Sequence, residues 1–307
     1  GIAWTSHQPD YGAQEVYRGM VVDADRYIYV AGTQVHGSTE KVFVAQYEPG
    51  GAQMWFDWYF VESCTTEGCD GIDIDNAGNT YVCGTSDTGD IRHPIVLKYD
   101  FWGEREWVYH YPSANTDGCE DIKVHHPSGT SYITGNSYNG HDHDVYVYAV
   151  STDSHLLWSS TYGGDNQDHG YELGVTDSCV YVGGTFKSAW NDNDILTLCY
   201  WRENGTLIWA ETRDYGTGDG CFDIAVQTIG EGDVHIVPCG NNSGWVTLKY
   251  YNCETIEPLA LAYNGNRHLV RKPNSEELHL VYTRGGEVVY RYSSNGGTDW
   301  ALPVNLG

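Results

Sequence analysis

The chain has 307 residues and a formal net charge of −26 at pH 7, from 42 acidic against 16 basic side chains. That balance argues against nucleic acid and anionic lipid as partners, since both need basic surface. No apolar run reaches the ~18–20 residues of a membrane-spanning helix, and 25 Tyr, 11 Trp and 37 Gly beside 2 Met favour strands and turns.

Gly1 is not an initiator Met and strand-like sequence begins at Ile2, so the N-terminus reads as processed or cut from a longer chain. The clearest markers along the chain are Trp4, Trp55, Trp107, Trp158 and Trp209, spaced 51, 52, 51 and 51 residues apart. Constant spacing of this size marks a repeated structural unit. Before most of these tryptophans a β-rich run ends in Tyr, at Tyr47, Tyr99, Tyr200 and Tyr250, with Ala149 in that place in the third unit. A turn such as Glu48-Pro49-Gly50-Gly51 or Glu203-Asn204-Gly205 separates run from Trp. In Gly71–Ser86, Ile72 and Ile74 alternate with Asp73 and Asp75, Asn76 to Asn79 carry turn chemistry, and Thr80-Tyr81-Val82 resume a strand. Gly-Thr or Gly-Asn closes the pattern at Gly32, Gly84, Gly135, Gly184 and Gly240.

Each unit reads as four strands, which in the second fall at about 70–75, 79–85, 94–99 and 104–110. One such sheet cannot bury both its faces alone, whereas radially arranged sheets bury each other. The expectation is an all-β, six-bladed β-propeller of four-stranded antiparallel blades, forming one domain over 1–307. The blades run at about 14–66, 67–116, 117–167, 168–218, 219–265 and 266–307, with 1–13 as a closing outer strand. The segment around Trp300 also reads as a fourth strand of the last unit, and both segments cannot fill one position. Seven blades is the alternative if the native chain continues.

The runs DIDNAGNTYVCGTS at 73–86, SYITGNSYNGHDHDVYVYAV at 131–150 and DILTLCYWRENGTLIWAETRDYG at 194–216 resemble the bacterial and archaeal SBBP-type propeller repeats, over about residues 1–265. The last unit instead resembles an Asp-box (BNR-like) repeat at Ser293–Trp300, with Asn295 for the usual aspartate and Asp299 for the usual threonine. The resemblance implies a propeller fold and export, and Asp-boxes imply stabilising turns rather than catalysis.

Several constellations could carry chemistry. Glu15, Glu67, Asp117, Asp168 and Asp219 fall once per unit, just before each first strand. Five acids could ring a channel mouth and bind a ligand, or each could cap its own loop by accepting backbone N–H groups. Asp142 with Asp144 and Asp192 with Asp194 precede third strands and could donate oxygens to Ca²⁺, or serve turns. Among 13 histidines, His125, His126, His141, His143 and His169 stand out, and Tyr17, Tyr138, Tyr171, Phe186 and above all Trp190 are aromatic candidates for stacking on a sugar or a protein partner. No Gly-x-Ser-x-Gly or Ser-x-x-Lys is present, and the arginines are scattered rather than clustered for a substrate carboxylate.

Nine cysteines without C-x-x-C or zinc-finger spacing suggest disulfides in an exported protein. The strand pattern suggests Cys69 with Cys83, Cys179 with Cys199 and Cys221 with Cys239, leaving Cys64, Cys119 and Cys253, one of them unpaired or bridged to another chain. Asn204 and Asn241 head glycosylation sequons. The functional expectation is a non-enzymatic extracellular binding or assembly module of the cell surface, an adhesion or filament component with a protein partner, itself or a glycan, and with Ca²⁺ as a structural ligand. The alternative is a carbohydrate-active hydrolase or lyase with acids at the channel mouth.

Overall fold

A computed structural model describes residues 14–37, 39–60, 66–87, 91–111, 117–189, 192–216, 218–221, 224, 226, 233–236, 248–251, 267–271, 278–284, 287–293 and 304–305. The chain divides into two compact units, 1–226 with 236–248, and 227–235 with 249–307. The first unit holds four antiparallel four-stranded sheets, resembling propeller blades. They are β1 (Gln14–Val22) to β4 (Gln53–Tyr59), β5 (Thr66–Ile74) to β8 (Arg105–His110), β9 (Gly118–His125) to β12 (Leu156–Tyr162), and β13 (His169–Val175) to β16 (Leu207–Arg213). Their second and third strands are β2 (Ile28–His36) and β3 (Thr39–Tyr47), β6 (Thr80–Asp87) and β7 (Arg92–Tyr99), β10 (Thr130–Tyr138) and β11 (His143–Val150), and β14 (Cys179–Ala189) and β15 (Asp192–Trp201). Each sheet is a simple meander, first strand to fourth.

A two-stranded sheet, β17 (Asp233–Ile236) with β18 (Leu248–Tyr251), falls where the fifth repeat was expected. In the second unit β19 (Arg267–Arg271), β20 (Leu278–Arg284), β21 (Glu287–Ser293) and β22 (Val304–Asn305) form a further meander. There Val304 pairs with Tyr290 and Asn305 with Val289, so the tail supplies the fourth strand of its own sheet. Trp4 and the expected closing strand lie outside the described residues.

Local chemistry explains the hairpins. Asp75 opens the β5–β6 turn, and its Oδ1 accepts the N–H groups of Ala77 (2.8 Å) and Asn79 (3.0 Å). Gly78 takes φ +78° there, a conformation that L side chains resist. Asp100 repeats the device in the β7–β8 turn, accepting from Trp102 and Glu104.

The second and third strands do not alternate between buried and exposed. In β6, Thr80 to Ser86 are all buried, as are Pro94 to Tyr99 of β7. Such runs belong to sheets covered on both faces. Tyr29, Val42 and Val44 of the first sheet meet Ile72, Val82 and Leu97 of the second, and Tyr132, Val145 and Val147 of the third meet Leu173, Val182 and Leu196 of the fourth. The first strands lie side by side in the order β1, β5, β9, β13, and each later one also packs on the strands of the sheet before it.

The repeated tryptophans join these sheets. Trp55 Nε1 donates to the Phe101 carbonyl (3.0 Å), Trp107 to Thr152 (2.8 Å) and Trp158 to Arg202 (2.9 Å). In each case the acceptor lies in the turn between third and fourth strands of the next sheet. The indole covers that turn so closely that a Cβ on Gly103 would come within 2.5 Å of Trp55, and one on Gly205 within 2.4 Å of Trp158.

The repeated Gly of the second strand has a separate cause. Each first strand carries a β-bulge, with the extra residue at Arg18, Asp70, Glu120 and Tyr171. Beside it, a Cβ on Gly32, Gly84, Gly135 or Gly184 would stand 1.9–2.3 Å from a first-strand carbonyl oxygen. Only Gly lets the two backbones close over the bulge.

Gly135→Ala is expected to lower stability by about 1–3 kcal/mol or more, by overpacking against backbone. Gly68→Ala, where an added Cβ meets nothing within 4 Å, should stay within about 0.5 kcal/mol of the parent. Urea unfolding of the two variants measures the difference, and equal losses would remove the bulge as the reason for the repeated glycine.

Candidate functional site

The bulges aim four unlike side chains from neighbouring first strands: Arg18 of β1, Asp70 of β5, Glu120 of β9 and Tyr171 of β13. A bulge re-aims a side chain, which is why bulges gather beside functional sites. Thr85 Oγ1 donates to Asp70 Oδ2 at 3.3 Å and accepts the Cys119 N–H at 3.1 Å, so β9 and β6 together orient the Asp70 carboxyl. Burial pushes that carboxyl up to about 7, and the charge of Glu120 adds to the rise, while Arg18, Thr85 and Arg92 pull it back. Burial also raises Glu120, against Arg18 and Arg92. Two carboxyls and two guanidinium groups therefore act on one another here, and one carboxyl holds its proton near neutral pH.

The once-per-unit acids lie three residues before the bulges. Asp117, Asp168 and Asp219 are buried. Asp117 Oδ1 accepts the Tyr138 N–H at 3.1 Å. Asp168 accepts from Lys187 and Gly164, both at 2.8 Å, and Asp219 accepts from Tyr215. Their own N–H groups donate to the carbonyls of Arg92, His143 and Asn193, at the third strand of the preceding sheet. The backbone N–H of each aspartate thus clamps the loop into its first strand to the sheet before it, while the carboxylate holds N–H groups of the entry loop or of the second strand of its own sheet. Burial raises Asp168, with Asp144 and Asp142 adding to the rise, against the two N–H groups it accepts. Glu15 is half-buried and accepts from Gln34 Nε2 at 3.1 Å. Glu67 lies in β5, and its side chain lies outside the described residues.

The clamps also set an aromatic row across the third and fourth sheets. Tyr138 and His143 rings are 5.3 Å apart, His143 and His169 stack at 6.5 Å, and His169 stacks on Tyr171 at 5.9 Å and 3°. Burial lowers His169, and His143 and Lys187 add to the fall. Tyr17 packs edge-on against Phe43 and remains 62% exposed. Phe186 lies against Tyr162, and Trp190 lies outside the described residues.

The two Asp-x-Asp pairs differ. Asn139 Nδ2 bridges Asp142 Oδ1 (2.5 Å) and Asp144 Oδ2 (2.9 Å). Asp192 and Asp194 instead meet Asp214, with one oxygen of each of the three within 4.8 Å of the others. Asp214 follows β16 and has no counterpart in the third sheet, where Gly163 holds its place. At the other end of the first strands, a depression of about 420 Å³ is lined by Asp23, Asp25, Asp73, Asp75, Phe101 and His126 among others. Asp23 and Asp75 serve their own turns there.

The cysteines depart from expectation. Cys69 and Cys83 are buried and not bonded to each other. The register opposes Cys69 to Gly84 and Cys83 to Gly71, and the Cys83 thiol instead interacts with Cys119 of the next sheet. Cys179 opposes Trp201 and Cys199 opposes Tyr181, so these two sit diagonally rather than face to face as a cross-strand bridge needs. Cys221 is buried, while Cys64, Cys239 and Cys253 lie outside the described residues.

Sequence reasoning missed Arg18, Asp70, Glu120 and Asp214. Its signal was repetition, and these are the positions at which one unit differs from the next.

No family model matches the chain, and no curated protein does. Among solved structures, it is similar to a GH32 β-fructofuranosidase from Bombyx mori in complex with sucrose, at 12% identity and TM-score 0.38, over 93% of this chain and 78% of that one. It is similar to an endo-arabinase from Bacteroides thetaiotaomicron and to an α-L-arabinofuranosidase from Clostridium thermocellum, each at 10% identity and TM-score 0.36, over 95% of this chain and 93% of theirs. These likenesses concern repeated four-stranded antiparallel sheets, and the site is read from its own residues.

Asp70 yields a pH prediction. Its folded carboxyl binds the proton more tightly than the unfolded chain, whose Asp titrates at about 4. Stability attributable to it is complete below about pH 4 and falls as pH rises to about 7, with a limiting slope of about 1.4 kcal/mol per pH unit. Asp70→Asn removes that slope, so the variant should gain on the parent at pH 8 and lose the gain at pH 4. Denaturant melts at the two pH values decide it, and a pH-independent difference would overturn it.

Proposed function

We propose that the chain is an exported carbohydrate-active hydrolase, built on a six-bladed propeller whose bulged inner strands carry the chemistry. The observation that supports this reading is the placement of Asp70 and Glu120 on adjacent bulges with Arg18 and Arg92 acting on both. Glycoside hydrolysis needs one protonated and one ionised carboxyl across the scissile bond. Asp70, protonated near neutral pH, is the general acid that gives its proton to the leaving oxygen. Glu120, on which the Arg18 and Arg92 guanidinium groups act against the effect of burial, is the carboxylate that acts on the anomeric carbon, either directly or through a water. The net charge of −26 repels polyanions, so the substrate class is a neutral glycan. The Tyr138–His143–His169–Tyr171 row supplies flat apolar faces for sugar rings.

A second reading, an extracellular non-enzymatic module that assembles through its surface, rests on Trp102, 71% exposed at the β7–β8 turn. Large exposed indoles are frequent anchors of protein contacts.

Hydrolysis of a panel of aryl glycosides and neutral oligosaccharides separates the two. Asp70→Asn and Glu120→Gln should each lower turnover by about 10²–10⁴-fold while glycan binding by calorimetry persists. Asp70→Asn should also abolish the alkaline limb of the pH–rate profile near pH 7. Turnover unchanged in both variants would sink the acid–base assignment. Absence of turnover on every glycan, with self-association that Trp102→Ser abolishes, would favour the assembly reading.

A further inference from the structure

Three carboxylates, Asp192, Asp194 and Asp214, converge where the start of β15 meets the segment that follows β16. We propose that they form a Ca²⁺ site that ties the start of β15 to the segment leading out of the fourth sheet. The inference does not depend on the hydrolase reading.

Geometry comes first. One oxygen from each residue lies within 4.8 Å of the other two. Oxygens bound to Ca²⁺ at 2.3–2.6 Å stand up to about 4.6–5.2 Å apart across the ion, so the spacing suits one ion held between all three. The donor set is all carboxylate oxygen, the set that a hard divalent cation prefers.

The second observation concerns satisfaction. Asp194 is 8% exposed, and its Oδ1 is buried without a hydrogen-bond partner, as is Asp192 Oδ1. A buried carboxylate oxygen without a donor is costly unless a cation meets it. Asp214, Asp192 and Asp219 face Asp194, beside the Ser188 hydroxyl. The charged groups facing Asp194 from the neighbouring segments are thus mainly acids.

The third sheet provides an internal comparison. Register places Ser137 opposite Asp144 and Phe186 opposite Asp194, so the two pairs are equivalent. Val145 opposes Tyr162 as Ile195 opposes Arg213, which puts Gly163 at the position of Asp214. In the third sheet the Asn139 amide bridges the Asp pair, and the Gly163 backbone sits against Asp144 so closely that an added Cβ would stand 1.9 Å from Asp144 Oδ1. A third carboxylate has no room there. In the fourth sheet that carboxylate is present on Asp214, whose Oδ1 also accepts the Gly216 N–H at 2.8 Å. Asp142 Oδ2 and Asp144 Oδ1 are also buried without a hydrogen-bond partner, so what sets the fourth sheet apart is the third carboxylate converging on its pair.

Calorimetry with Ca²⁺ on metal-stripped protein, with melting in Ca²⁺ and in EGTA, tests the site. Asp214 is exposed, so Asp214→Asn should fold. The parent should bind Ca²⁺ and melt higher with it. Asp214→Asn should bind at least about tenfold more weakly, about 1.4 kcal/mol. Asp142→Asn, in the third sheet, should bind as the parent does. In EGTA, Asp214→Asn should be as stable as the parent or more so, because it relieves carboxylate repulsion, and in saturating Ca²⁺ less stable. That reversal is not expected of a merely structural aspartate. No heat and no shift with Ca²⁺ in the parent, or parent-like affinity in Asp214→Asn, would overturn the proposal, as would equal weakening in Asp142→Asn.

Discussion

The sheets of the first unit depend on one contact made again and again, an indole N–H given to the turn of the next sheet. Trp55, Trp107 and Trp158 each do two things at once. The ring covers a tight turn from which a side chain is excluded, and the nitrogen satisfies a carbonyl that the turn leaves without a partner in its own sheet. The net worth of each hydrogen bond is about 1 kcal/mol. Its larger effect is positional, because it fixes how far the fourth strand of one sheet stands from the third–fourth turn of its neighbour. The buried runs of the second and third strands then close against one another, and no face of those strands is left for water.

With that spacing fixed, the opposite ends of the sheets are free to differ. Asp117, Asp168 and Asp219 repeat the logic of the tryptophans in polar form, since the N–H of each ties an incoming loop to the preceding sheet while its carboxylate holds the entry loop or the second strand of its own sheet. Three residues later the bulge throws a side chain out of the ladder. The four sheets of the first unit share that bulge, while the side chain is Arg18, Asp70, Glu120 or Tyr171. A rigid scaffold thus presents a varied set of groups at fixed spacing, which is the condition for a site whose members perturb one another, as Asp70 and Glu120 do.

Repetition made the fold legible. The 51-residue spacing of Trp and the Gly-Thr or Gly-Asn pair announced sheets of four strands, and the first four segments fall within a few residues of their expected places. The same method singled out the acid that recurs in every unit, as a ligand or as the cap of its own loop, and Asp117, Asp168 and Asp219 accept backbone N–H groups. The bulge left its trace in the repeated Gly of the second strand, but the bulge residues themselves escaped because Arg18, Asp70, Glu120 and Tyr171 differ from unit to unit. Asp192 and Asp194 were visible as a pair, but Asp214 lies twenty residues on and meets them only through the turn after β16. Strand order placed Cys69 near Cys83, while the register faces Cys69 with Gly84 and Cys83 with Gly71.

The tryptophan contact has a direction, from each sheet to the one that follows. The second and third sheets therefore each carry both halves of the junction: an indole to give forward and a turn to receive from behind. A segment of one such repeat, copied or deleted whole, leaves junctions of the same kind on either side of the change. Such a chain can lengthen or shorten by unequal recombination without needing a new interface at the seam. The individuality of each copy can then accumulate at the bulge and the entry loops, where neighbours make no demand on side-chain identity.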